Sequence, residues 1–339
     1  MDILRPVILA GFKHRPGVHC GSTALSNALR ARGLDLPEHM VFGLGAGLGF
    51  FYVTEPSQSP THTIFGRHLW LEKTACAVLG AGYGDRTEDD AVRAWEGATR
   101  ALARGIAPIL ITDLRHLPYA GTRTPFNWHS VVLAGYDPER RVAFLADTER
   151  EGVCEVAFDD LERARSSDGP PFGYTGRRWM EVEAPARPRP MAEAVVDALR
   201  RQARGMLRDG RGAAGVAGLE RFAEELPAWS RRASGEADRS WSFRFAYQVI
   251  ERRGTGGGLF RVLYSRFLEE AERLVPSLAG SGLSARMKEL AGRWTSLAQA
   301  FKALSEAPGA GAPPPVAGIA GDIARGERRF FEEVAALLP

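Results

Sequence analysis

Cysteine is scarce in this chain of 339 residues: Cys20, Cys76 and Cys154 are the whole complement. An odd number without paired spacing fits the reduced thiols of a cytoplasmic protein better than a disulfide framework. The cysteine and histidine spacings of zinc sites are also missing, so no metal is expected. No apolar run approaches the ~20 residues that cross a bilayer. The N-terminal "PVILAGF" is too short for the core of a secretory signal, and Lys13 and Arg15 stop it from extending. Cytoplasmic location without membrane contact is the expectation. Lysine occurs only at Lys13, Lys73, Lys288 and Lys302, so arginine supplies the net charge of +3. That excess is small, and no basic patch interleaved with aromatics accompanies it, which argues against nucleic-acid binding. Nucleotide fingerprints are absent as well. "GLGAGLG" (43–49) has glycine at every second position rather than G-x-G-x-x-G. "RGTGGG" (253–258) runs into Leu259 and Phe260 where a P-loop needs Lys and Ser or Thr. No cofactor is expected.

What is present is an ordinary globular composition, long enough for two domains. "EAPARPRP" (183–190), with three prolines, reads as a linker. It separates a mixed domain (1–183) from an all-helical one (191–339) across residues 184–190. In the first, helices are expected at 22–32, 69–79 and 88–104, with Thr87 and Asp90 as N-cap and N3 of a capping box. Strands are expected at 48–53, 107–114, 153–158 and 178–183, with a hairpin of 128–136 and 141–147. This is an α+β pattern. In the second, helices are expected near 191–208, 214–226, 239–252, 259–275, 283–305 and 322–337, the last after a linker at 307–318.

"GVHCGSTALSNAL" (17–29) places Cys20 where a Gly-containing turn enters a helix. The exposed N–H groups and positive end of a helix stabilise a thiolate and can hold an oxyanion beside it. Gly17 and Gly21 permit close approach of a substrate. A nucleophile needs a base and the base an orienter. His129 opens the strand "HSVVLAGYD", and Asp147 ends the strand "VAFLAD". A loop of three or five residues between these strands leaves the two side chains on one face; a loop of two or four sends them to opposite faces. Taken singly, a buried inert Cys and two strand-end polar residues remain the simpler reading.

The stretch "GVHCGSTALSNALRARGLDLPEHMVFGLGAGLGFFY" resembles the N-terminal domain of the butirosin biosynthesis protein H family. The helical remainder, most specifically "RRGTGGGLFRVLYSRFLEEA" (252–271), resembles the companion domain of unknown function that often accompanies it. The resemblance implies a papain-like cysteine fold. It also implies transfer of an acyl group from an acyl carrier protein to an amine, with Cys20 as acyl acceptor, His129 as base and Asp147 as orienter. Papain-like enzymes place a glutamine about six residues before the cysteine as an oxyanion donor. Here His14 stands there, and the glutamines (Gln58, Gln202, Gln248, Gln299) are distant in sequence.

Around this core, His14, His19, Gly21 and Asn127 are candidates for the substrate cleft, as are Gly45 and Gly47, whose alternative role is tight packing. Arg253 and Arg261, beside the "RGTGGG" glycines, are candidates for a phosphopantetheine phosphate; a helix C-cap and hinge is the plainer reading of that loop. The leading expectation is a cysteine acyltransferase of specialised metabolism. Its donor is an acyl-carrier-protein or CoA thioester, and its acceptor a small amine such as an amino sugar or polyamine. A hydrolase (peptidase, amidase or thioesterase) using the same triad and a non-catalytic binding module are the alternatives. Oligomeric state, a homo-oligomer included, is left open.

Overall fold

The computed structural model describes residues 6–169, 173–208 and 212–338. In chain order its elements begin with β1 (Val7–Ile8), α1 (Cys20–Ala31), α2 (Glu38–Leu44), β2 (Leu48–Thr54) and β3 (His62–Arg67). Next come α3 (Leu71–Leu79), β4 (Gly82–Arg86), α4 (Ala91–Ala103), β5 (Ile109–Thr112), β6 (His129–Asp137), β7 (Val142–Ala146), β8 (Val153–Ala157), α5 (Phe158–Arg165) and β9 (Trp179–Glu183). The rest is helical: α6 (Met191–Leu207), α7 (Gly215–Glu225), the single turn α8 (Trp229–Arg232), α9 (Glu236–Glu251), α10 (Arg261–Leu274), α11 (Leu283–Glu306) and α12 (Pro314–Leu337). The class is α+β, with antiparallel sheets in the N-terminal part.

The chain packs as two units, Met1–Val41 with Cys76–Arg189, and Phe42–Ala75 with Pro190–Pro339. The boundary differs from the expected 1–183 and 191–339. Residues 42–75 join the helical unit because β2 and β3 form a hairpin whose apolar side chains need a partner. β2 packs on α6 and α7, and β3 on α9. The first domain is therefore interrupted in sequence.

In the first unit, the antiparallel sheet runs β4-β9-β5-β6-β7-β8, with β1 also paired to β6. Ala94, Ala98 and Leu102 of α4 and Leu161 and Ala164 of α5 pack with Val131, Leu133, Leu145 and Trp179 of the sheet. Helix α1 packs against β5, β6 and β9 and is buried from Gly21 to Leu29. In the second unit, Tyr52, His62, Phe222, Trp229 and Phe301 stack into an aromatic core.

Two local expectations change. Asp90, not Thr87, is the N-cap of α4 and accepts from the Arg93 N–H at 2.8 Å. Helix α12 begins at Pro314, inside the expected linker, because prolines at the first helical positions lose no hydrogen bond. The glycines of "GLGAGLG" fall in α2 (Gly43), in the turn after it (Gly45), before the strand (Gly47) and in β2 (Gly49).

Candidate active site

Cys20 is the first residue of α1, and His19 is its N-cap with extended backbone (φ −113°, ψ 123°). An imidazole does here what Ser or Asp commonly does: His19 Nδ1 accepts from the Ser22 N–H at 3.2 Å. His19 is buried and caps the helix, although it was expected as a candidate for the substrate cleft. The turn before it is tied at both ends. The Gly17 N–H donates to the Thr148 carbonyl at 2.7 Å, and the His19 N–H donates to Glu38 Oε1 at 2.8 Å. A Cβ on Gly17 would lie 2.1 Å from Thr23 Oγ1, so only glycine allows this approach.

His129 opens β6 directly after Trp128, whose φ of 64° is rare for a bulky residue. Its Nε2 lies 2.7 Å from Asp147 Oδ1. The same imidazole hydrogen-bonds the Cys20 side chain. The Asp147 carboxylate also accepts from the Tyr119 hydroxyl at 2.8 Å and from the Thr148 N–H at 2.6 Å. His129 and Asp147 are 7% and 6% exposed, so little solvent screens the pair. Burial opposes charge on the imidazole, but the Asp147 carboxylate and the Cys20 thiol outweigh it and raise the His129 pKa above its ordinary value. Burial likewise disfavours the Asp147 anion. The His129 charge and the hydrogen bonds from His129, Tyr119 and Thr148 hold its pKa below the usual carboxylate range. Burial and the Asp147 charge push the Tyr119 phenol far up, which keeps it protonated as a donor.

The two side chains meet by a different route from the one expected. The hairpin pairs Asp137 with Val142 and closes on four residues, 138–141, an even loop. On its own that parity separates His129 from Asp147. The register then shifts between Leu133 and Gly135: Gly135 faces Phe144, yet Leu133 faces Leu145. Ala134 is the extra residue of a β-bulge, and it restores the parity. The register beyond it (Val132 to Ala146) places Asp147 opposite Val131, two residues from His129 on the same face. β1 crosses at this point: the Leu9 N–H donates to the Ala134 carbonyl at 2.9 Å, and Gly135 admits the Val7 carbonyl where a Cβ would be 2.4 Å away.

The other expected residues scatter. His14 lies against the main chain of Asp147 and Arg150, at the turn carrying the acid, and burial lowers its pKa. Gly21 is buried in the first turn of α1. The Asn127 amide donates to the carbonyls of Gly169 and Gly173, a loop clasp. Gly45 and Gly47 are packing positions: a Cβ would lie 2.7 Å from Leu71 Cγ and 2.7 Å from the Phe42 carbonyl oxygen, respectively. Arg253 is bound to Gln248 Oε1 at 2.8 Å and lies over the Phe245 ring. Arg261 is fully buried in a bidentate pair with Glu327 at 2.8 and 2.7 Å. Its charge is already neutralised, so the expected phosphate site is not built there. Tyr119, Thr148 and Glu38 were not anticipated. Tyr119 sits in a single 3-10 turn (Pro118–Ala120) too short to show periodicity, and Glu38 opens a short helix that the sequence pattern does not announce.

A groove of about 730 Å³ beside β4, β9 and α4 is lined by none of Cys20, His129 and Asp147. Its arginines are paired: Arg93 with Glu88, Arg100 with Glu96, and Arg86 and Arg104 with Glu181. Among the described residues, no group of three or more His, Cys, Asp or Glu is arranged to hold a metal ion. No described helix is long and apolar enough to cross a membrane.

Residues 19–148 match the family model described as butirosin biosynthesis protein H, N-terminal, a span that contains Cys20, His129 and Asp147. Residues 159–334 match the domain of unknown function DUF4872. No curated protein matches the chain.

Proposed function

Because this chain belongs to the butirosin biosynthesis protein H family, with that family's N-terminal domain preceding DUF4872, we propose that it is a cysteine acyltransferase of specialised metabolism. Cys20 takes an acyl group from a carrier-protein or CoA thioester and passes it to a small amine. The observation that carries this reading is that one imidazole, His129, hydrogen-bonds both the Cys20 thiol and the Asp147 carboxylate.

With Nε2 held by Asp147, Nδ1 is the ring nitrogen left to exchange a proton with Cys20. In the first half-reaction His129 takes the Cys20 proton and Sγ attacks the thioester carbonyl. The carbon–sulfur bond of the donor breaks, and the departing thiol leaves with that proton. In the second, the amine attacks the acyl-cysteine and His129 takes its proton. The acyl–sulfur bond breaks, releasing the amide and restoring the Cys20 thiol. Asp147 stays ionised throughout and fixes the ring, with Tyr119 holding its second oxygen. N–H groups at the start of α1 serve as oxyanion donors in place of a glutamine. A thioester is already activated, so this support suffices.

Intact-mass measurement after incubation with a panel of acyl-CoA and acyl-carrier thioesters tests the reading. The expected result is one acyl mass on the wild type, none on Cys20→Ala, and discharge to an amide when amines are added. The same mass gain on Cys20→Ala would overturn the nucleophile. Release of free acid alone would replace transfer by hydrolysis.

A further inference from the structure

Glu38 is bonded almost wholly to the turn that carries the cysteine. Its Oε2 accepts from the Val18 N–H at 3.0 Å. Its Oε1 accepts from the His19 N–H at 2.8 Å and from the hydroxyls of Ser22 and Thr23, each at 3.0 Å. All four donors fall within residues 18–23 and bracket Cys20, while the acceptor comes from α2. His19 in turn holds the N–H groups of Ser22 and Thr23. Hydrogen bonds to an ionised carboxylate are roughly twice as strong as those between neutral groups. Gly17 lets the arrangement close, since a Cβ there would be 2.7 Å from Glu38 Oε2.

From this geometry we infer that Glu38 is the positioning residue of the nucleophile turn: its carboxylate sets the backbone on both sides of Cys20. The inference rests on Cys20 being the nucleophile. It has a second consequence. A fixed negative charge at the start of α1 opposes a thiolate there, against the His129 ring (with Asp147 behind it) and the helix N-terminus, which favour one; His19 is engaged as the cap.

The test uses the full chain with 4-nitrophenyl acetate as acyl donor and iodoacetamide as alkylating probe. Glu38→Gln keeps one acceptor oxygen and loses the charge. Its 4-nitrophenol burst is expected to be about tenfold slower at saturating ester, with KM nearly unchanged. Its Cys20 alkylation midpoint is expected to fall by about 0.5–1 pH, the scale of one partly screened charge. Glu38→Asp should recover part of the burst rate. A folded Glu38→Gln protein with the wild-type burst rate and midpoint overturns the assignment; Glu38→Ala, if it folds, must be slower still. If the wild type shows no burst that Cys20→Ala abolishes, the nucleophile itself is wrong and Glu38 falls with it.

Discussion

Asp147→Asn isolates the charge behind the base. The amide retains an oxygen for His129 Nε2 and the Thr148 N–H, now 2.7 and 2.6 Å from Oδ1, and turns its NH2 towards the Tyr119 hydroxyl. The shape of the site survives and the anion does not. A hydrogen bond between charged groups contributes about 1.5–3 kcal/mol and a neutral one about 0.5–1.5. The imidazolium therefore loses ~1–2 kcal/mol, or roughly five- to thirtyfold in its population. With His129 neutral at lower pH, the Cys20 thiolate loses its cationic partner. Alkylation of Cys20 is expected to move to higher pH and the acylation burst to slow by about tenfold or more. Peptide-resolved alkylation across pH separates Cys20 from Cys76 and Cys154. An unchanged midpoint and rate would refute the assignment of Asp147 as orienter. Stability carries a second signature. Asp147, with its pKa lowered, stabilises the fold above the ordinary carboxylate value and loses this as pH falls through its folded value. His129, with its pKa raised, stabilises below its ordinary value and loses this as pH rises. The melting difference between wild type and Asp147→Asn is thus expected to be largest at about pH 4–6.5.

Tyr119→Phe removes one donor from Asp147 and is expected to slow acylation several-fold with the protein still folded, checked by the same burst; no change would leave Tyr119 outside the site. Arg261→Met strands the buried Glu327, which also accepts from Trp294 Nε1 at 2.8 Å. The cost is about 3–5 kcal/mol by chemical denaturation, and adding Glu327→Gln should return part of it. Gly97→Ala places a Cβ 2.5 Å from the Trp179 ring and is expected to cost about 1–3 kcal/mol. Burial lowers His62 to about 4, so it is neutral in the fold and binds more protons unfolded between that value and ~6.5. Acidification through this window is expected to lower the melting temperature, less so in His62→Asn.

Much of the scaffold was legible because its signals are local. The apolar faces of α1 and α4, the strand character of 107–114 and the turn at "DPER" need only neighbouring residues to read. The grouping of Cys20, His129 and Asp147 was legible, since three cysteines and seven histidines leave few pairings and the two strand-end positions are readable from the pattern. Arg261 shows where this stops. Beside a glycine-rich loop it resembles an anion receptor, but Glu327, distant in sequence, neutralises it in the core. Gly45 and Gly47 likewise look like a ligand's approach and are instead where Leu71 and Phe42 pack.

Residue types and their order were enough to say which three side chains could act together and that the cysteine would start a helix. Whether base and acid meet depended on long-range strand pairing. Side chains alternate along a strand, so one residue reverses every facing, and the even loop at 138–141 set the wrong parity. The extra residue at Ala134 corrected it. That bulge is held where β1 crosses β6, a pairing between residues some 130 positions apart that no local pattern records.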